Sequence, residues 1–223
     1  MISRRIALFT AALAGAACQN PRPAPEEAKP AARAADTALP RAAAETQAPT
    51  SHAELVKRGE RLVTLGGCAD CHTPKAFDPK LKMPVPQSER AFSGHPENGP
   101  EPQVKPGAGD QAVIGASFTS FAAPFGVVYA ANLTPDPDTG IGKWSEAEFV
   151  KTLRTGHEKG SGRPLLPPMP WQNLATQPDE DLRAIYAYFM SLRPIKNQVP
   201  APHVPPPVIA AIGASYPAPE AVN

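Results

Sequence analysis

The sequence predicts a mainly α fold, and three observations carry that prediction. Three segments place apolar residues at helical spacing between recognisable start and stop signals. No βαβ alternation accompanies them, so a parallel sheet is not expected. Both ends of the chain are rich in proline and poor in large apolar residues, which confines the fold to one central domain, residues 51–193.

The first segment is not part of that domain. Residues 1–17 read as a secretory signal, with Arg4 and Arg5, an apolar run from Ile6 to Ala14, and small residues after it. The run is too short for a permanent membrane span. The stretch Ala14-Gly15-Ala16-Ala17-Cys18 resembles a bacterial lipoprotein signal, in which Cys18 would be acylated. It departs from that pattern at Gly15, where leucine is usual. An unlipidated Cys18 would be a lone thiol in an oxidising compartment. Ordinary cleavage after Ala14-Gly15-Ala16 is the alternative. Residues 18–50 are mostly Pro, Ala, Glu, Lys and Thr and cannot bury a core, so they are expected to be a disordered tether. As a flexible coil that length spans on the order of 30 Å.

The first helix is expected to open at Ser51, with Glu54 three residues on as a capping box. Leu55, Gly59, Leu62 and Val63 then share one face, and Gly66-Gly67 ends it. Cys68-Ala69-Asp70-Cys71-His72 follows directly. This is the C-x-x-C-H attachment pattern of a c-type haem. Its two thiols can form thioethers with the two vinyl groups of one porphyrin, and His72 then offers an imidazole nitrogen to the iron. A redox C-x-x-C would sit after a buried strand, whereas a helix precedes this one. A structural zinc site would need a second ligand pair, and His52, His95, His157 and His203 lack ligand spacing.

The loop from Thr73 to Ala131 is long. Up to about Asp110 it is too rich in proline and glycine for a helix, and Val113 to Tyr129 suits a short β-hairpin. The second helix opens at Ser145 with Glu148 as capping box, buries Phe149, Val150 and Leu153, and stops at Gly156. A rigid Pro167-Pro168-Met169-Pro170 loop follows. The third helix begins near Pro178, with Asp179, Glu180 and Asp181 favourably placed against its dipole. Its stripe is Leu182, Ile185, Tyr186 and Phe189, and Pro194 ends it. The tail, residues 194–223, is expected to run extended or disordered.

This order of elements resembles the class I cytochrome c fold. Asn132-Leu133-Thr134-Pro135-Asp136, Gly140-Ile141-Gly142-Lys143-Trp144-Ser145 and Pro167-Pro168-Met169-Pro170-Trp171 are similar to stretches of the mono- and di-haem cytochromes that serve bacterial membrane dehydrogenases. The resemblance runs from about Leu55 to Leu192. It implies that the first and last helices cross, with Gly59 at the small position of the crossing and Tyr186 at the aromatic one.

Three methionines remain after signal removal as candidates for the second axial ligand. Met190 lies inside the third helix. Met83 is eleven residues past His72, too near to cross readily to the opposite haem face. Met169, in its proline-rigid loop, fits best, since proline removes backbone entropy from an exposed loop and His/Met is the cytochrome c ligand pair. His157 is the runner-up. Trp144 or Trp171 could donate to a haem propionate, and Arg163 could pair with one, although core packing and a surface position are the simpler expectations.

One motif implies one haem. His/Met ligation fills both axial positions, so the expected role is single-electron transfer and not catalysis. A dehydrogenase or quinol enzyme would be the donor, and an oxidase or another cytochrome the acceptor. The rival expectation is a haem enzyme or gas sensor with an open sixth position. Removing Arg4 and Arg5 leaves 20 of the 22 basic residues against 21 acidic ones, a balance that gives no reason to expect nucleic acid. The expected location is the periplasmic side of a bacterial membrane, lipid-anchored or soluble.

Overall fold

The computed structural model describes residues 51–104 and 109–219. They belong to one compact unit, Thr46–Asn223; the second unit, Met1–Glu45, lies outside the described residues, and with it the signal, Cys18 and the tether. Helices dominate, joined by two small antiparallel sheets.

Helix α1 spans His52–Leu65. The Ser51 hydroxyl accepts the Glu54 N–H at 3.3 Å and donates to the Glu54 carboxylate at 3.0 Å. Gly59 and Val63 are buried on its inner face. Helix α2, Cys68–His72, is a single turn made by the motif itself. Gly67 separates the two with φ +63°, a left-handed conformation that a side chain disfavours, and this sharp break redirects the chain. Helix α3, Glu146–Thr155, begins with the expected capping box: Ser145 Oγ accepts the Glu148 N–H at 3.2 Å, and the Glu148 carboxylate accepts the Ser145 N–H at 2.8 Å. Helix α4, Trp171–Ala175, follows the methionine loop, and helix α5 spans Asp179–Ser191.

Helices α1 and α5 cross closely. A methyl group at Gly59 would overlap the Ala184 carbonyl and press on Tyr188 Cβ. The aromatic residue at the crossing is therefore Tyr188 and not Tyr186. Tyr186 lies two residues away, on another face of α5, where its hydroxyl donates to the Trp144 carbonyl at 2.6 Å. Arg58 and Asp181, each 12% exposed, close the same interface with an ion pair of 2.6 Å. Behind it, Val63, Phe92, Phe149, Leu153, Leu182, Ile185 and Phe189 form the main core.

The long loop holds more structure than its composition suggests. Strands β1, Lys75–Asp78, and β2, Met83–Pro86, pair antiparallel, with Phe77 opposite Pro84. Pro84 and Pro86 argue against a strand in the sequence, but a two-stranded ribbon has free edges that tolerate them. The hairpin expected within 113–129 is present and carries a third strand: β3, Val113–Ile114, β4, Ser120–Ala123, and β5, Gly126–Tyr129, lie in that order.

The tail differs from expectation through residue 219. Residues 206–215 form helix α6, with proline at its first turn, where the missing N–H is no loss. Val204 is buried with Val128 and Leu166, and Val208, Ile209 and Ile212 pack on them. The proline content pointed to an extended chain; the apolar residues between the prolines make a second core. His203 first joins the sheet, exchanging backbone hydrogen bonds with Val127 at 2.8 and 3.0 Å.

Candidate haem site

Helix α2 brings Cys68, Cys71 and His72 onto one turn. Both thiols are free and partly exposed. Burial pushes the Cys68 thiol up to about 11 and raises that of Cys71 as well. A disulfide oxidoreductase needs the opposite, a cysteine lowered to a thiolate. Neither thiol is held as the thiolate that thiol exchange uses. Among the described residues no group of three or more His, Cys, Asp or Glu side chains converges as a metal site.

His72 is 8% exposed. Its Nδ1 lies 2.7 Å from the Ala131 carbonyl oxygen, and its own carbonyl accepts the Gly94 N–H at 2.8 Å. A carbonyl can only accept, so Nδ1 carries the proton. Burial lowers the His72 pKa, against the opposing pull of the Ala131 contact, and so favours the neutral ring. Nε2 is then an unprotonated lone pair, and among the described residues it makes no hydrogen bond. An oriented neutral imidazole with one free nitrogen is what an iron ligand requires. Two free thiols and such an imidazole within one turn fit a c-type haem.

The chain that follows Ala131 is held in a network. Asn132 Nδ2 donates to the Ile195 carbonyl at 2.8 Å, while Asn132 Oδ1 accepts the Thr134 N–H and hydroxyl at 3.0 and 2.7 Å. Asp136 Oδ1 caps the following turn through Thr139. Asn197, 5% exposed, donates to the Ser93 and His95 carbonyls at 2.7 and 2.8 Å and accepts the Glu97 N–H at 3.1 Å. The Ala131 contact to His72 and the Asn197 bonds have no counterpart among the residues singled out from the sequence. A backbone acceptor has no side-chain signature, and Asn197 lies in a segment read as tail.

Met169 is carried separately, on the loop before α4. It is half-buried, follows a cis Pro167–Pro168 bond, and donates its N–H to the Leu166 carbonyl at 3.2 Å. Met83 sits on β2 with 53% exposure, and Met190 packs on the main core from α5. The His157 Nδ1 lies 2.9 Å from the Thr155 carbonyl. Trp171 is buried, Trp144 is half-buried beneath the Lys159 ammonium, and Arg163 pairs with Glu158 at the surface.

No family model matches the chain. It is 34% identical over 149 residues to one of the subunits of nicotinate dehydrogenase from Pseudomonas putida, covering 67% of this chain and 10% of the relative. It is 32% identical over 151 residues to the cytochrome c subunit of the quinone-dependent alcohol dehydrogenase of Gluconobacter oxydans, covering 67% and 24%. Over 136 residues it is 35% identical to the gluconate 2-dehydrogenase cytochrome c subunit of Pantoea cypripedii, covering 61% and 23%. The chain is related to the c-type cytochromes of dehydrogenases. It spans between a tenth and a quarter of the length of these relatives. Among the described residues of this cytochrome relative, no helix is long and apolar enough to cross a membrane.

Proposed function

We propose that the chain is a one-electron carrier holding a single c-type haem through Cys68 and Cys71, with His72 and Met169 as axial ligands. The observation that carries this reading is the Nδ1 bond from His72 to Ala131, which leaves Nε2 unprotonated and without a competing partner among the described residues. Bound there, haem iron supplies reversible one-electron chemistry, and a thioether ligand raises its potential. The chain's own work is placement. Helix α2 presents both thiols and the imidazole from one turn, the Ala131 carbonyl keeps the proton on Nδ1, and the proline-framed loop holds the Met169 thioether in one shape. With those two side chains as its ligands, the haem would leave no open iron site for a substrate, and the protein would carry electrons.

The named relatives support a dehydrogenase as electron donor. The acceptor would be an oxidase or another cytochrome. The export signal with Cys18 as lipid anchor would place the domain on the periplasmic side of a membrane, with residues 18–50 as tether. An optical spectrum of the purified protein, oxidised and reduced, tests the reading. A low-spin c-type spectrum that CO leaves unchanged is expected. A high-spin spectrum, or ready CO binding to the reduced protein, would favour an open iron site instead.

A further inference from the structure

The tail reaches the methionine loop. Leu166, three residues before Met169 and the acceptor of its N–H, is buried in the second core with Val128 and Val204, where Ile209 and Ile212 of α6 pack. A Cβ at Gly213 would sit 3.3 Å from Pro164, so α6 lies directly on the start of the loop. At its far end, Tyr216 and Met169 line a common cavity of about 220 Å³ together with the flanking prolines. Upstream, the Asn197 bonds and the His203–Val127 bridge fix the tail to the domain. The loop is thus held by its own prolines on one side and by a tail helix on the other.

We propose that the C-terminal segment, acting through Ile212 and Tyr216, is the positioning element for Met169. The inference rests on the His72/Met169 reading and adds to it a source of loop rigidity outside the loop. Prolines restrict the loop backbone, but they do not hold the loop against the domain. The apolar contacts of α6 supply that force. Without them the thioether would leave the iron more often, and an external ligand would find the site open for a larger fraction of the time.

The test uses the full haem-loaded chain and four substitutions: Tyr216→Ala, Tyr216→Phe, Ile212→Ala and Met169→Ala. Two properties are read, the weak near-infrared sulfur-to-iron band of the oxidised protein and its affinity for added imidazole. Amide exchange at Met169, whose N–H is bonded to Leu166, serves as a third measure, read from the backbone and not from the iron's spectrum. Tyr216→Ala and Ile212→Ala should weaken the band, raise imidazole affinity about tenfold and speed exchange at Met169, while exchange in α1 and α5 stays unchanged. Tyr216→Phe, which keeps the ring, should behave as the wild type. If Met169→Ala abolishes the band while both tail variants match the wild type, the positioning role is overturned and the ligand reading stands. If Tyr216→Phe behaves like Tyr216→Ala, packing of the ring is not what holds the loop, and the proposal fails. If Met169→Ala keeps the band, the ligand reading fails and the positioning role with it.

Discussion

Gly59 on α1 lies so close to the carbonyl of Ala184 on α5 that one added methyl group would overlap it. Backbone meets backbone at this crossing, and the helices that bracket the haem motif are registered there. Gly59→Ala should therefore destabilise the fold. Alanine gains about 1 kcal/mol in helix propensity, but forcing the helices apart costs roughly 1–3 kcal/mol or more, because the overlapped atom belongs to rigid backbone. A lower midpoint in denaturant unfolding is expected. An unchanged or higher midpoint would mean that the crossing relaxes freely.

Asn197 ties the tail to the loop behind His72. Its replacement by alanine strands the Ser93 and His95 carbonyls in a buried setting and removes the acceptor of the Glu97 N–H. A loss of about 2–4 kcal/mol follows from the usual penalty for buried unpaired groups. Equilibrium unfolding of Asn197→Ala measures it.

Glu101 joins the sheet to the tail. Its carboxylate accepts the Tyr129 hydroxyl at 2.5 Å and meets His203 Nδ1 at 3.1 Å. The Tyr129 bond, foremost, holds its pKa below the ordinary 4.5, with His203 adding to the shift. A depressed carboxylate contributes stability above the unfolded-state value of 4.5 and loses it as pH falls through the lower folded value. Glu101→Gln should thus melt below the wild type near neutral pH, and the gap should close on acidification beneath that range. Melting curves across pH decide it; a gap that persists in acid would show that the charge is not involved.

Much of this architecture was legible in the sequence because its signals are local. Capping boxes at Ser51 and Ser145, the stop at Gly156 and the apolar stripe of α5 each depend on residues within a few positions. The C-x-x-C-H motif is likewise local. What escaped depends on distant partners. The tail reads as proline-rich coil until Val204, Ile209 and Ile212 meet Val128 and Leu166. Tyr186 matches an aromatic position by order along the chain, yet the rotation of α5 puts Tyr188 at the crossing. The β1–β2 ribbon is masked by its own prolines.

The proposed covalent attachment would use the two thiols that α2 presents on one turn. Acid–organic extraction should leave the pigment with the protein, and the double variant Cys68→Ser, Cys71→Ser should release it. Pigment extracted from the wild type would contradict the attachment.

A single haem iron held between His72 and Met169 is the proposed one-electron centre. Potentiometric titration of the purified protein followed by its visible spectrum tests it most directly, with Met169→Ala run beside it. A single one-electron wave is expected, displaced to lower potential in Met169→Ala because a thioether favours the reduced iron. Two waves, or a Met169→Ala potential equal to that of the wild type, would contradict it.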